Sequence, residues 1–315
     1  MTVKITLAGK SGVDFNKEYD AFFKGFAPSG SPLFLGESEE ETTQIVHLDT
    51  PVTGKESAAR AVLLDGDDFL YTFSNHTISG EIDKVSLVTL GDAYDKDTGD
   101  LDLNGGVVTT ATPHITFSGL DIENEPGVAG PVHKIVAGMM GGGPSGTAAD
   151  PAALTKVLFG EAQSLVGSAG DDKYSGTRFG DTIRGMRGDD TLSGRGGADK
   201  LIGGLGADRL TGGSGADQFI FQTVAETRGD KIRDFDSAEN DLIHLSKIDA
   251  NEDARGNNRF SFIGDDAFSG EAGELRFKSG ASGTTVYGDT DGDGRADFKI
   301  LLVGDHDLSA GDFIL

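Results

Sequence analysis

Residues 167–220 read GSAGDDKYS GTRFGDTIR GMRGDDTLS GRGGADKLI GGLGADRLT GGSGADQFI, which is one nine-residue phrase written six times. Each copy holds an aspartate at the same place, and the six are Asp172, Asp181, Asp190, Asp199, Asp208 and Asp217. A large apolar residue follows two positions later, at Tyr174, Ile183, Leu192, Leu201, Leu210 and Phe219. A period of nine with glycine, aspartate and one hydrophobe per copy is typical of a parallel β-roll that binds calcium.

Each copy predicts half a turn of a flattened coil, because its glycines permit a tight turn and its apolar residue marks a short strand facing inward. Copies eighteen residues apart then lie side by side. The predicted pairs are Asp172 with Asp190, Asp181 with Asp199, Asp190 with Asp208, and Asp199 with Asp217. Calcium takes about six to eight oxygen ligands, which these carboxylates and the turn carbonyls can supply. Since the stacked carboxylates repel one another without metal, the roll is expected to need calcium to fold.

Composition narrows the function classes. The length of 315 residues suggests two domains, and we predict them over residues 1–160 and 161–315. A net charge of −25 argues against nucleic acid and anionic membranes as partners, and the absence of cysteine excludes disulfides. No apolar run reaches the length of a membrane span. The first twenty residues lack the apolar run of a secretory signal.

The nine-residue copies resemble the repeats of the RTX family of exported bacterial proteins. The stretches TRGDKIRDFDSAENDLIHLSKIDA and VYGDTDGDGRADFKILLVGDHDLSAGDFIL resemble the C-terminal domain of serralysin-type proteases. The resemblance implies an extracellular protein that leaves the cell through the type I secretion machinery. In that family the C-terminal signal is often an acidic residue followed by hydrophobes, as Asp312 and the last three residues are.

Catalytic motifs of the proteases are missing from the sequence. None of the six histidines begins the His-Glu-x-x-His pattern of a zinc protease, and no Gly-x-Ser-x-Gly occurs. Gly9-Lys10-Ser11 lacks the first glycine of a P-loop and predicts a hairpin turn instead. We therefore expect the protein not to be an enzyme, although a hydrolase with an unfamiliar site stays a weak alternative.

A further acidic loop lies near the end of the chain. Asp289, Asp291 and Asp293 stand at the first, third and fifth positions of an EF-hand-like loop, with a glycine at the sixth. Asp297 falls at the ninth position, but Ile300 replaces the glutamate that completes an EF-hand. A calcium site completed by other groups and a polar turn between strands both remain open.

The N-terminal part has the pattern of an α+β domain, with an antiparallel sheet backed by helices. VKITLA, TQIVHL, ARAVLL, FLYTFS, HTISGEI, SLVTL and HITFSGL predict short strands. FNKEYDAFFKGF places its aromatic residues on one helical face, and Pro131 begins a second helix over GPVHKIVAGMM. PAALTKVLFGEAQSL predicts a third helix, after a glycine-rich loop over residues 141–151.

Three stretches of this domain resemble the HasA-type haemophores, which are secreted proteins that capture haem. They are GDDFLYTFSNHTISGEIDKVSLVTLG (66–91), PHITFSGLDI (113–122) and VHKIVAGMM (132–140). The resemblance implies that Tyr71 ligates haem iron and that His76 hydrogen-bonds the phenolate. Met139 and Met140 suit the wall of such a pocket, although methionine on an apolar helical stripe is more often a core residue. A two-residue turn at Ser74-Asn75 would pair Tyr71 with Ile78 and Phe73 with His76.

Two departures from that family accompany the resemblance. HasA-type haemophores are usually short and carry no calcium roll. Residues 25–41 contain no histidine to serve as a second iron ligand, so stacking of Phe26 or Phe34 on the porphyrin is expected to replace it. His133, on the second helix, is expected to be structural.

These observations lead to one hypothesis and one main alternative. The hypothesis is a secreted haem-binding protein for iron acquisition, of the haemophore type, on a calcium-folded RTX export module. Its partners would be haem, calcium, the type I secretion machinery and an outer-membrane haem receptor. The alternative is a secreted calcium-binding adhesin or partner-binding protein without haem.

Overall fold

The chain folds into two compact units with mostly β structure and few helices. The computed structural model describes residues 2–37, 41–72, 74–95, 97–98, 100–140 and 148–315. The first unit comprises Met1–Ala8 and Asn16–Glu161, and the second comprises Gly9–Phe15 and Ala162–Leu315. Across the described ranges, no helix is both long enough and apolar enough to cross a membrane.

An antiparallel sheet forms the centre of the first unit. Its strands are β1 (Thr2–Leu7), β2 (Leu33–Leu35), β3 (Gln44–Leu48), β4 (Arg60–Thr72), β5 (Thr77–Thr89) and β6 (Thr112–Asn124). The order across the sheet is β2-β3-β4-β5-β6-β1. Most of ARAVLL and the first four residues of FLYTFS, predicted as separate strands, both lie in β4, and most of HTISGEI and of SLVTL lie in β5. A register shift between Asp65 and Gly66 keeps β4 continuous, and a Cβ at Gly66 would lie 1.8 Å from the Glu81 carbonyl oxygen.

Helices cover one face of this sheet. They are α1 (Phe15–Phe23), α2 (Pro131–Met139) and α3 (Ala152–Leu158). The aromatic face predicted for α1 is confirmed, since Tyr19, Phe22 and Phe23 are buried and the Tyr19 ring meets that of Phe117 on β6 at 6.0 Å. The opposite face of the sheet carries its own apolar cluster, which includes Val46, Ala61, Leu63, Val88 and Val108.

The second helix begins at Pro131, as predicted, and it packs on β5 and β6. Proline suits the first helical position because the missing N–H would have no partner there. The buried residues of α2 are Val132, Ile135, Val136 and Met139. Most of the loop predicted over residues 141–151 lies outside the described residues.

The second unit contains the repeats. Its strands are β7 (Ala162–Val166), β8 (Lys173–Ser175), β9 (Thr182–Arg187), β10 (Thr191–Gly196), β11 (Lys200–Leu205), β12 (Arg209–Ser214), β13 (Gln218–Ile220), β14 (Lys231–Ile232), β15 (Leu242–His244), β16 (Ser261–Phe262), β17 (Glu274–Gly280), β18 (Gly283–Asp289), β19 (Phe298–Leu302) and β20 (Phe313–Ile314). Short 3-10 turns lie at Glu56–Ala58 and Gly91–Ala93 in the first unit, and at Val224–Thr227, Ser237–Glu239 and Ala310–Asp312 in the second.

The repeats form a β-roll of two parallel layers. One layer runs β7-β9-β11-β13-β15-β20, and the other runs β8-β10-β12-β14-β19 before it continues into β18, β17 and β16. Leu192 pairs with Tyr174 on one side and Leu210 on the other, so copies eighteen residues apart lie side by side as predicted. The apolar residue of every copy is at most 3% exposed. The predicted inward face is therefore confirmed.

Two predictions at the junctions of the units are wrong. The third helix ends at Leu158, and residues 162–165, expected to continue it, lie in β7, which pairs with β9. Residues 9–11, expected to be a hairpin turn of the N-terminal domain, belong to the second unit together with residues 12–15. In both places pairing with the roll outweighs the local pattern.

Candidate calcium array and candidate haem site

The repeat aspartates form two hydrogen-bonded ladders inside the roll. In the first four copies, the peptide N–H of the aspartate donates to Oδ1 of the aspartate eighteen residues later. The N···O distances are 2.7 Å from Asp172 to Asp190 and 2.8 Å from Asp190 to Asp208 in one ladder. In the other they are 2.6 Å from Asp181 to Asp199 and 2.8 Å from Asp199 to Asp217. All six aspartates are at most 1% exposed.

One carboxylate oxygen of several ladder residues has no hydrogen-bond partner within the described ranges. These oxygens are Oδ2 of Asp190, Asp199, Asp208, Asp217 and Asp230. Burial raises the pKa of Asp190 and of Asp230 to about 8, that of Asp199 to about 7 and those of Asp208 and Asp217 to about 6, and neighbouring carboxylates add to each rise. A buried anionic oxygen without a partner is strongly unfavourable. The array is thus incomplete until a cation or protons compensate it.

Glycines leave room beside the unpartnered oxygens of Asp190 and Asp199, and a carbonyl oxygen faces the same space. A Cβ added at Gly185 would lie 2.0 Å from Asp190 Oδ2 and 2.5 Å from the Gly203 carbonyl oxygen. At Gly194 the corresponding distances are 1.9 Å to Asp199 Oδ2 and 2.6 Å to the carbonyl oxygen of Gly212. Carboxylate and carbonyl oxygens therefore converge on the same space in successive turns. Oxygen-only donors of this kind fit calcium.

The ladders extend beyond the repeats. Asp208 N–H donates to Asp230 Oδ1 at 2.8 Å, and Asp217 N–H donates to Asp241 Oδ1 at 2.9 Å. Asp230 and Asp241 escape prediction from the nine-residue period because they follow their ladder partners by 22 and 24 residues. A signal was present, since Ile232 and Ile243 follow them by two positions and pair with Leu210 and Phe219.

In the C-terminal acidic loop, the carboxylates that lie close together differ in part from the predicted set. Asp289, Asp291 and Asp297 can each offer an oxygen within 4.8 Å of the others, and Asp293 is outside this group. Asp289 is fully buried and accepts the N–H groups of Gly292 and Gly294 at 2.8 and 2.9 Å. The loop thus satisfies much of its own hydrogen bonding, as a polar turn does.

At the hairpin between β4 and β5, Tyr71 and His76 are in direct contact. Tyr71 Oη lies 2.5 Å from His76 Nδ1. Tyr71 pairs with Ile78, as predicted, and the last ladder pair is Thr72 with Thr77. The two-residue turn is wrong, because His76 lies in the turn itself with φ of 55°. This left-handed conformation places its ring over the end of β4. Phe73 is outside the described residues.

Neighbouring loops hold this hairpin tip in place. Asn75 donates to the Gly127 carbonyl oxygen at 2.7 Å and accepts from Thr77 Oγ1 at 2.8 Å. Asn124 accepts from the N–H of Val132 at 2.9 Å and donates to the Ile78 carbonyl oxygen at 3.2 Å. The tip is therefore tied both to the loop after β6 and to the first turn of α2.

The other residues considered for this site differ in their distance from the hairpin and in their burial. His133 Nδ1 accepts the N–H of Ile78 at 3.4 Å, so the first turn of α2 touches the residue that pairs with Tyr71. Met140 is half-buried just past the other end of α2, about 10 Å further along the helix axis. Phe26 is fully buried against Phe22 and Phe23, which removes it as a stacking surface, whereas Phe34 on β2 is half-buried.

Comparisons with known proteins add family information for the second unit. Residues 174–315 match the family described as peptidase M10 serralysin C terminal. A subunit of the Azotobacter vinelandii mannuronan C5-epimerase is 34% identical over 47% of this chain and 80% of its own, with a TM-score of 0.35. Apo hemophore HasA from Yersinia pestis is 20% identical over 50% of this chain and 86% of its own, also with a TM-score of 0.35. The holo form of that hemophore is 19% identical over 50% of this chain and 88% of its own, with a TM-score of 0.34.

No curated protein sequence matches the chain significantly. The match over residues 174–315 supports an RTX-type C-terminal part, which indicates a calcium-binding module of a type I secreted, extracellular protein. The matched part of serralysin is its C-terminal region and carries no catalytic domain.

Proposed function

We propose that this chain is a secreted protein that captures ferric haem through Tyr71 and His76 and whose second unit folds on binding calcium. The observation that carries the haem part is the 2.5 Å contact between Tyr71 Oη and His76 Nδ1. A phenol must lose its proton to ligate ferric iron, and an imidazole nitrogen at this distance can accept it. Haem, when bound, would supply the ferric iron that favours this anionic oxygen ligand.

The surroundings of the pair suit a flat ligand that arrives from solvent. His76 is exposed and Tyr71 is half-buried at the end of a long hairpin. The Asn75 contacts hold the turn that aims the imidazole at the phenol, and such outer partners typically matter about 10–100-fold for a metal site. Met140 stays our proposal for the pocket wall, and His133 supports Ile78 from the helix side.

The calcium part of the proposal rests on the unpartnered oxygens of the ladders. Asp190, Asp199, Asp208, Asp217 and Asp230 would each offer Oδ2 to the ion, together with turn carbonyls. Asp172 and Asp181 belong to the same ladders and are proposed ligands too. Asp289, Asp291 and Asp297 form a separate candidate, and Asp293 is the less favoured member of the predicted set.

A haem titration tests the capture site. Purified protein should bind one equivalent of ferric haem, with a Soret band and the charge-transfer feature of tyrosinate ligation. Tyr71→Phe keeps the ring but removes the ligand oxygen, so it should abolish most binding. His76→Gln should weaken binding about 10–100-fold. Tyr94→Phe is the matched control, because Tyr94 is another half-buried tyrosine of the same unit.

Two outcomes would overturn the haem assignment. One is a parent protein that binds no haem, and the other is Tyr71→Phe binding as tightly as Tyr94→Phe. Either would leave a calcium-scaffolded partner-binding module as the remaining candidate. Lowering the pH should release haem from the parent, since protons compete with iron for the phenolate oxygen.

A further inference from the structure

Residues Gly9–Phe15, which we name the cap segment, supply the first partner of the aspartate ladder. The segment follows β1 in the chain but belongs to the second unit. Val13 N–H donates to Asp172 Oδ1 at 2.6 Å, and Lys173 N–H donates to the Val13 carbonyl oxygen at 2.8 Å. Asp14 forms a parallel bridge with Lys173.

The cap segment occupies the place of a missing repeat. Within the ladder, Oδ1 of an aspartate accepts the peptide N–H of the residue eighteen positions earlier, as Asp190 does from Asp172. For Asp172 the residue eighteen positions earlier precedes the roll in the sequence and cannot play this part. Val13, some 159 residues upstream, provides that N–H instead. Phe15 is fully buried, and its ring centroid lies 5.2 Å from that of Tyr174, the apolar residue of the first copy.

The contact is close enough to require a particular backbone. Gly12 has φ of +83°, and a Cβ there would lie 2.2 Å from the Asp171 carbonyl oxygen. Only glycine combines this conformation with this approach. The segment is therefore fitted to the first turn of the roll and does not merely pass near it.

We propose that the cap segment couples calcium binding in the roll to the folding of the first unit. Calcium that fixes the Asp172 carboxylate also fixes its Val13 donor. The chain on either side of the segment is β1, which ends at Leu7, and α1, which continues from Asn16 into the first unit. Holding the segment removes chain freedom between these two elements, so the calcium-loaded roll stabilises both. This inference rests on the calcium part of the proposed function and not on the haem part.

Linkage makes the coupling reciprocal. If the loaded roll stabilises β1 and α1, then a folded first unit raises the calcium affinity of the first turn by the same factor. A substitution in the cap segment should therefore affect the first turn and the N-terminal elements together. In the central repeats, the aspartates accept hydrogen bonds from N–H groups of other repeats. These repeats should therefore keep their response to calcium.

Hydrogen–deuterium exchange of the full chain, followed by mass spectrometry, tests this coupling. Samples would contain calcium, magnesium as the divalent control, or chelator. In the parent, calcium should slow exchange in peptides of the roll and also by about tenfold in peptides covering residues 2–7 and 16–23. Magnesium should do neither.

Two variants and one control make the test specific. Val13→Pro removes the N–H that Asp172 accepts, and Gly12→Val blocks the approach to Asp171. Both should reduce the calcium response of residues 2–7 and 16–23 to under about twofold, while peptides around Leu192 and Leu201 keep theirs. Ser11→Ala, at an exposed position of the same segment, should behave like the parent.

The outcomes separate this inference from the function it rests on. If roll peptides respond to calcium but residues 2–7 and 16–23 do not, the coupling is wrong and the calcium roll stands. A full response of residues 2–7 and 16–23 in Val13→Pro would also overturn the coupling. If the roll peptides themselves ignore calcium, both the coupling and the proposed calcium binding fall.

Discussion

The two units bury polar side chains in opposite ways. The roll encloses several like charges, and oxygens such as Asp190 Oδ2 have no hydrogen-bond partner among the described residues. The first unit pairs opposite charges, with half-buried Arg60 placing Nη2 2.5 Å from Asp49 Oδ2, and it keeps His47 in its core. On our proposal the roll therefore needs an ion from solution, whereas the first unit relies on its own charge pairs and on pH.

The largest effect should come from removing the calcium that we propose the roll to bind. Chelator should unfold residues 162–315, since the buried carboxylates then lack compensation. Asp190→Ala should raise the calcium concentration needed for refolding by more than about tenfold, because even an outer partner of a metal site counts for that much. Circular dichroism during a calcium titration measures both.

The extended ladders sharpen this prediction. In the pairs predicted from the sequence, Asp172 and Asp217 each occur once and Asp190 and Asp199 each occur twice, which predicts smaller effects at Asp172 and Asp217. Because the main-chain N–H of Asp217 donates to Asp241 Oδ1, the ladder continues past Asp217 and its carboxylate is an interior member like that of Asp199. We therefore expect Asp217→Ala to cost as much as Asp199→Ala. Asp266→Asn, at an exposed position, is the control for charge removal. A roll that stays folded in chelator would show that its buried carboxylates need no calcium, which would contradict the proposed difference between the two units.

A smaller effect is expected at the paired charges of the first unit. Arg60 donates to Asp49 and to the Phe22 carbonyl oxygen at the end of α1, and it lies over the Phe26 ring at 5.5 Å. Arg60→Ala should lower the free energy of unfolding by about 2–3 kcal/mol, the range for hydrogen bonds to charged groups that are largely buried. Urea unfolding in saturating calcium measures it.

Lys84→Ala provides the matched control for Arg60→Ala. Lys84 and Asp65 also form an ion pair, at 2.8 Å, but their side chains are 44% and 26% exposed, against 24% and 12% for Arg60 and Asp49. Solvent screens such a pair, so its loss should cost about 0–1 kcal/mol. Equal losses in the two variants would mean that burial of the Arg60 pair adds nothing.

At neutral pH the smallest predicted effect is that of His47, since it is expressed only as the pH falls. Burial lowers the pKa of His47 to about 3, and its Nε2 has no hydrogen-bond partner among the residues that the structure describes. The unfolded chain takes up a proton near pH 6.5 that the folded chain refuses until about pH 3. This contribution to stability is complete above pH 6.5 and should fall by about 1.4 kcal/mol per pH unit below it.

Comparison of variants isolates this histidine from the ladder. The ladder aspartates have raised pKa values when metal-free, which act in the opposite direction, because the folded state then binds more protons. Calcium-saturated parent and His47→Leu should therefore be compared between pH 6.5 and 4.5. The variant should show the flatter profile. Parallel profiles for parent and His47→Leu would refute the assignment.

The roll was predictable because its signal repeats. Six copies in register predict the inward residues and the eighteen-residue neighbours, and both are confirmed. Asp230 and Asp241 escaped prediction because longer connections change their spacing while the stacking continues. The cap segment escaped for a different reason: Val13 stands where a repeat has aspartate, and a main-chain N–H leaves no mark in the sequence.

The hairpin shows which part of a local site can be predicted. Alternation along β4 and β5 was enough to pair Tyr71 with Ile78. The turn was not predictable by the same rule, since His76 adopts a left-handed conformation that histidine takes only occasionally. That conformation brings its ring to Tyr71. The contact with Ile78 that His133 makes depends on how α2 packs, which no local pattern reports.

A stack of identical turns could in principle be extended by a further turn or by another molecule. The bridge between Asp14 and Lys173 therefore has a second consequence, at the edge of the sheet. Strand β8 would otherwise present an open row of N–H and C=O groups at the edge of its sheet, which could template the edge of another molecule. Asp14 covers that edge, and β16 and β20, at other edges, are only two residues long. The ends of the roll thus act as stops against fibre growth, and a chain whose cap segment is released should be prone to polymerise.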